Sequence, residues 1–391
     1  MKVRHILSHC VVAILAVALT LFFAVPPFSL FSVSQQDPGI VKLQELKGII
    51  DANFVDEYDE KTMYDLAASA MVDSLGNRWS SYIPAEEYVT LTDQRKNVYV
   101  GIGVTISPRE DGYIDILVVE PGGPAQEAGI QPGDVLVGVE GNDVATLTID
   151  QVGDLIRGER NTQVQVQLRR GEETLNLSVY RKEIPTPVAV GTMLEGNVGL
   201  VQIANFDSRC ASETMAEVKS LLEQGATALI FDVRYNLGGY VDEMVEILDQ
   251  LLPEGPLVHY VDYAGRKSMD TSDKDFLDIP MAVLVNQDSY SAAELFAAVL
   301  QEYDAAVVVG QHTVGKGYFQ YTYQLSDGSA VLLSAGRYAT SKDVNLDGVG
   351  IAPDAEVVVD EELYWQIYGG FVPLQEDPQV QAALEALNEK K

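Results

Sequence analysis

The chain has 391 residues, enough for two or three domains, and its 47% hydrophobic and 21% charged content can bury a core, which excludes collagen-like repeats and wholesale disorder. A formal net charge of −32 repels phosphate, so nucleic acid is not an expected partner. Two cysteines, Cys10 and Cys210, cannot build a disulfide framework or a zinc site of paired thiolates.

Lys2 and Arg4 precede an apolar segment, residues 10–33, inside a stretch from His5 to Gln36 with no Lys, Arg, Asp or Glu. That length suits one transmembrane helix, which Pro26-Pro27 break or kink. Bulky Phe28, Leu30 and Phe31 follow where a cleavage site needs small residues, so an uncleaved anchor is favoured over a removable signal. The positive-inside rule then puts residues 1–9 in the cytoplasm and the rest outside it, held at the cell membrane; cleavage would instead release an exported protein. After a linker at 35–39, Ile40, Leu43, Leu46, Ile49 and Ile50 recur at helical spacing. Met63, Leu66, Ala67, Ala70, Met71 and Leu75 do the same. Residues 34–95 read as a small helical module for packing or dimerisation, which leaves a homo-oligomer open.

The period then changes. Residues 163–168 and 174–179 alternate strictly around a turn at Arg170-Gly171-Glu172, the pattern of a hairpin with one buried face. Strands are also expected at 99–106, 113–119 and 135–139, with short helices at 125–128 and 149–157. The run Val100-Gly101-Ile102-Gly103-Val104, followed by Gly123-Pro124-Ala125, Ala128-Gly129-Ile130 and Pro132-Gly133-Asp134-Val135-Leu136, resembles a PDZ domain over 96–183. The resemblance implies capture of polypeptide C-termini by strand addition, with Gly101, Ile102, Gly103 and Val104 at the peptide-binding loop and exposed N–H groups converging on a carboxylate.

From residue 198 strands and helices alternate: strands at 198–203, 228–232, 281–285 and 305–309, helices at 212–222, 241–251 and 291–301. This is an α/β pattern with a buried, partly parallel sheet, and a hairpin follows over Asp327-Gly328. Chemistry in such sheets collects at strand-to-helix junctions. Two stand out, 231–239 with Asn236-Leu237-Gly238-Gly239, and 286–294 with Ser289-Tyr290-Ser291. A serine at a helix start presents its hydroxyl beside a free N–H, but Ser289 and Ser291 also suit plain helix caps. Gly315-Lys316-Gly317 adds a lysine in apolar surroundings, where burial favours the neutral amine and makes it a base. A phosphate loop is disfavoured, because Gly317 stands where Ser or Thr should.

Together these segments resemble the carboxyl-terminal processing, or tail-specific, peptidases, serine proteases with a Ser-Lys dyad and an inserted PDZ domain. The resemblance implies Ser291 as nucleophile, Lys316 as base, Gln320 as the residue orienting the lysine, and Ala292 with Gly238 or Gly239 as oxyanion-hole amides. Gly350-Ile351-Ala352-Pro353-Asp354 also matches a family signature. The family usually has Asn-Pro-Gly-Gly and Ser-Ala-Ser at the two junctions, so Leu237 and Tyr290 are departures expected to change the subsite beside the nucleophile and with it substrate preference, not activity. The implied architecture is an α/β catalytic core with a mixed sheet (184–360), an inserted β-rich PDZ domain, the N-terminal helical module, one transmembrane helix and a helical extension at 361–391. The implied substrates are unstructured polypeptide C-terminal segments, and no cofactor or metal is needed.

The rivals are a histidine base, for which His259 and His312 are the candidates beyond the apolar segment, a Cys210 nucleophile, and a non-catalytic membrane-anchored PDZ receptor for C-termini. Asp343-Val344-Asn345-Leu346-Asp347-Gly348, with Asp354 at position twelve, matches the start of a calcium loop. Its preceding segment reads as strand where such a loop needs a helix, so a solvated acidic turn is expected.

Overall fold

A computed structural model describes residues 37–389. The apolar segment at 10–33, with the anchor expected there, lies outside these residues; among the described helices none is long and apolar enough to cross a membrane. The chain divides into a unit up to Tyr64 and a unit Asp65–Lys391. In the first, helix Pro38–Asn53 starts on Asp37, whose carboxylate accepts the Gly39 N–H, with Pro38 at the first helical position where its missing N–H costs nothing. None of its residues is buried.

In the second unit, residues expected inside a purely helical module include a strand. Ser81–Ile83 pairs antiparallel with Ala330–Ala339, Ser81 facing Leu332. Three residues are too few for alternation to show in the sequence. Helix Ala85–Arg95 then leads into the PDZ block.

The PDZ block has a five-strand path, Val104–Pro108, Ile114–Val119, Val135–Val139, Gln163–Arg170 and Glu173–Tyr180, in that spatial order. The expected hairpin is present, with Gln163 opposite Tyr180 and Arg170 opposite Glu173. Val164, Val166 and Leu168 are buried while Gln163, Gln165 and Gln167 face water. The single strand expected at 99–106 is two. Val98–Gly101 pairs with Lys182–Pro185, and Val104–Pro108 pairs with Ile114–Val119. The break falls at buried Ile102 and at Gly103, whose φ of +75° only glycine adopts readily.

The core sheet runs Ala189–Leu194, Val198–Ile203, Ala228–Asp232, Met281–Val285, Ala306–Gly310, Ala355–Glu356. Its first pair is antiparallel and the others parallel, so the sheet is mixed. One face packs on helices Cys210–Glu223, Val241–Leu251 and Ala292–Glu302, where Phe296 meets Phe206 and Phe231 at 5.5 Å between ring centroids. The other face, with Leu200, Ile230 and Leu284, is closed by Val380, Ala383 and Leu387 of helix Pro378–Glu389. The C-terminal segment, expected as an extension, thus completes the core. A second, antiparallel sheet contains Gly255–Asp262, Lys267–Ser272, Tyr318–Gln324 and Ala330–Ala339.

Candidate active site

Ser291 follows strand Met281–Val285 and precedes helix Ala292–Glu302, with φ 60° and ψ −123°. A non-glycine residue there is strained by about 1–3 kcal/mol, a cost the surroundings must over-determine. Glu294 supplies that constraint. It is fully buried, and its Oε2 accepts the Ser291 N–H and the Lys316 N–H, both at 2.9 Å. Its Oε1 accepts the Gly315 N–H at 2.6 Å and the Thr313 hydroxyl at 2.5 Å. One carboxylate therefore joins the helix start carrying Ser291 to the loop carrying Lys316.

The two candidate serines separate cleanly. Ser289 Oγ donates to Val233 O at 2.8 Å and accepts the Asn286 N–H at 3.0 Å, a structural role. Ser291 Oγ instead faces the Tyr338 hydroxyl at 3.4 Å.

Lys316 Nζ donates to Gln320 Oε1 at 2.5 Å, and the Gln320 amide donates onward to the Trp79 carbonyl. The amine lies 5.1 Å from the Trp79 ring and 5.8 Å from the Tyr290 ring, and these two rings stack on each other. Tyr290, the departure noted above, thus becomes a wall of the lysine site. A bulge aims Gln320: Phe319 faces Gly336, but Gln320 faces Ser334. Burial, then the charge of Arg95, lowers the Lys316 pKa to about 8, with Glu294 opposing. No hydrogen bond joins Lys316 Nζ to Ser291 Oγ in this conformation, so a proton transfer between them would need the hydroxyl and the amine to turn toward each other.

The loop after strand Ala228–Asp232 packs directly on Ser291. A Cβ on Gly238 would come within 2.8 Å of the Ser291 Cβ and 3.1 Å of the Ala292 nitrogen, and Gly238 has φ +88°. Buried Asn236 holds this loop, donating to Ile203 O at 2.9 Å and accepting the Gly238 N–H at 2.8 Å. That engages the Gly238 amide. The Ala292 and Gly239 N–H groups have no acceptor among the described residues. Asp232 and Asp377 both pair with buried Arg234 at 2.7 Å, anchoring the loop's base to the C-terminal segment.

The rival residues have other partners. His259 Nε2 contacts Ser341 O, and His312 is exposed with Nδ1 against Thr313 O. Cys210 is buried, and burial pushes its thiol pKa up to about 12, which suppresses the thiolate a nucleophile needs. In the acidic loop, Asp354 accepts from Val308 N and Gln301, Asn345 donates to Gly317 O and Tyr338 O, and Asp347 accepts the Gly317 N–H. Among the described residues no group of three or more His, Cys, Asp or Glu is arranged to hold a metal.

In the PDZ block, Ile102, Gly103 and Val104 line a cavity of about 110 Å³ with Tyr99, Ile106, Gly153, Ile156 and Arg157. Gly101 lies beside it under the Tyr99 ring. Strand Val104–Pro108 pairs on one side only, leaving an edge for an added strand.

Sequence reasoning missed Glu294, Trp79 and Tyr338. Glu294 had a signal: Ser291-x-x-Glu294 is the spacing of a capping box. Trp79 and Tyr338 had none, since each reaches the site from a distant part of the chain.

Residues 197–357 match Peptidase family S41 and residues 116–170 match the PDZ domain. The carboxy-terminal processing protease CtpA of Bacillus subtilis is 31% identical over 88% of this chain and 75% of its own. The carboxyl-terminal-processing protease of Synechocystis is also 31% identical, over 82% of this chain and 76% of its own. The tricorn protease shares the fold with a TM-score of 0.50, at 17% identity over 75% of this chain and 29% of that one. The chain belongs to the carboxy-terminal processing proteases of peptidase family S41, and it is a PDZ-containing serine endopeptidase.

Proposed function

We propose that this protease cleaves with a Ser291–Lys316 dyad. The observation that carries the reading is the Glu294 carboxylate, which binds the backbone of both residues and fixes them in one frame. Neutral Lys316, held by Gln320, takes the Ser291 proton as Ser291 attacks the scissile carbonyl, then gives it to the departing amine as the C–N bond breaks, leaving an acyl-enzyme and a neutral lysine. The oxyanion sits against Ala292 N–H at the positive end of helix Ala292–Glu302. The second donor comes from Gly238-Gly239. Gly239 is favoured, because an oxyanion must displace or share Asn236 to use Gly238. Lys316 then serves the water that releases the product.

The PDZ groove at Gly101, Ile102, Gly103 and Val104 holds the substrate's C-terminus. An anchor at 10–33 keeps the enzyme at the membrane with its catalytic part outside the cytoplasm. The support is the uncharged run from His5 to Gln36 behind Lys2 and Arg4. The test incubates the purified full chain with an unstructured protein substrate, beside Ser291→Ala. Degradation by the parent alone supports the dyad; equal degradation by both removes Ser291 from it. N-terminal sequencing of the mature protein tests the anchor, and a start between Pro26 and Gly39 would mean a cleaved signal.

A further inference from the structure

Tyr338 stands on strand Ala330–Ala339 and is almost wholly buried. Its backbone is clamped on both sides, its N–H donating to Gly317 O at 3.2 Å and its carbonyl accepting from Asn345 Nδ2 at 2.6 Å. The phenol is therefore delivered to a fixed point, between Lys316 O at 2.5 Å and Ser291 Oγ at 3.4 Å.

A phenol has one proton, and a backbone carbonyl can only accept. The short contact takes that proton to Lys316 O. The same proton is shared, weakly, with Ser291 Oγ at 3.4 Å, which accepts from the phenol. Burial holds the phenol pKa far above its ordinary value, so this oxygen stays protonated and is no base. Accepting from Tyr338 leaves the Ser291 proton unengaged by the phenol and available to the amine of Lys316.

We propose that Tyr338 is a positioning residue for the cleavage reaction, its one hydroxyl tying the Lys316 carbonyl to the Ser291 oxygen and leaving the serine's own proton free for the amine when substrate arrives. This rests on the Ser291–Lys316 reading. The phenol fixes where the lysine's backbone sits relative to the serine oxygen, and its long contact to Ser291 is loose enough for an arriving carbonyl to break.

The test uses the purified full chain, an unstructured peptide substrate and a fluorophosphonate that acylation-competent serines attack. Tyr338→Phe keeps the ring and removes the hydroxyl. The expected result is a drop of about 10- to 100-fold in kcat and in labelling rate, with KM within about twofold. The acidic limb of the pH profile stays where the parent has it, because no titrating base has been removed. A kcat and labelling rate within about threefold of the parent overturn the proposal, as does a displaced acidic limb or a loss confined to KM.

Mass spectrometry of the labelled peptide keeps the two ideas apart. A label away from Ser291 in the parent defeats the dyad reading. A label on Ser291 forming equally fast in Tyr338→Phe defeats only the role of Tyr338. Should that variant fail to fold, 3,5-difluorotyrosine at 338 keeps volume and hydroxyl while strengthening the phenol as a donor, which tightens the contact to Ser291 that an arriving carbonyl must break. Labelling slowed at least about threefold supports the proposal, and an unchanged rate overturns it.

Discussion

Lys316→Met removes the ionisable amine at nearly constant volume, and its effect on stability should depend on pH. The folded pKa of Lys316 is about 8 against an ordinary 10.5. Between those two values the unfolded chain binds more protons than the folded one, so the parent gains stability as pH rises through the window. Below pH 8 both states are protonated, and the parent carries the whole penalty of a buried ammonium. Two and a half pKa units correspond to roughly 3 kcal/mol at pH 7, an upper bound because the side chain is partly exposed, and about 1 kcal/mol remains at pH 10. The lost hydrogen bond to Gln320 opposes this. The methionine variant should be inactive, at least as stable as the parent at pH 7, and lose most of that advantage by pH 10. Urea unfolding of parent and variant, followed by circular dichroism at pH 7, 8.5 and 10, measures the difference directly. A stability difference that does not change with pH, or a variant clearly less stable at pH 7, refutes the argument and makes Lys316 a charged structural residue.

Ser291→Ala should abolish hydrolysis without lowering the melting temperature, since the hydroxyl's neighbour is one long contact at 3.4 Å; residual turnover above a few per cent of the parent, in a substrate-degradation assay, would place the nucleophile elsewhere. Lys316→Ala should be equally inactive, while His259→Ala and His312→Ala keep most activity in the same assay. The pH dependence of kcat/KM should rise with an acidic limb centred near 8, the folded pKa of Lys316; a midpoint near 10 would mean that the amine is not perturbed. Gly239→Ala should eliminate activity, because a Cβ at φ +152° runs into the Phe206 carbonyl, and a fully active variant in a peptide-cleavage assay would show that this loop is not rigid.

The parts of the molecule legible in the sequence are those whose logic is local. Alternation at 163–168 and 174–179 was enough for the hairpin, because its buried face repeats every second residue. Ser291, Lys316 and Gln320 were named through the family resemblance of their segments. The rest depends on contacts that no local pattern encodes. Trp79 meets Gln320 only because Ser81–Ile83 pairs with Ala330–Ala339, and Gln320 points at Lys316 only because of the bulge opposite Gly336. Asn236 belongs to a motif readable in the sequence, but its grip on the Gly238 N–H, which bears on which glycine can hold an oxyanion, depends on a side-chain rotamer. Pro378–Glu389 looked like an appendix because its partners, Leu200, Ile230 and Leu284, lie far back in the chain.

The Glu294 carboxylate has a consequence for how this enzyme can change over generations. It spans four donors with two oxygens, and three of those donors are backbone N–H groups whose positions belong to the fold. Aspartate is a methylene too short to reach both segments, and glutamine turns one acceptor into a donor facing N–H groups. The serine turn and the lysine loop can therefore not drift independently: a shift in one is tolerated only with a matching shift in the other. Position 294 should consequently admit glutamate alone in any library selected for proteolysis, although it touches no substrate.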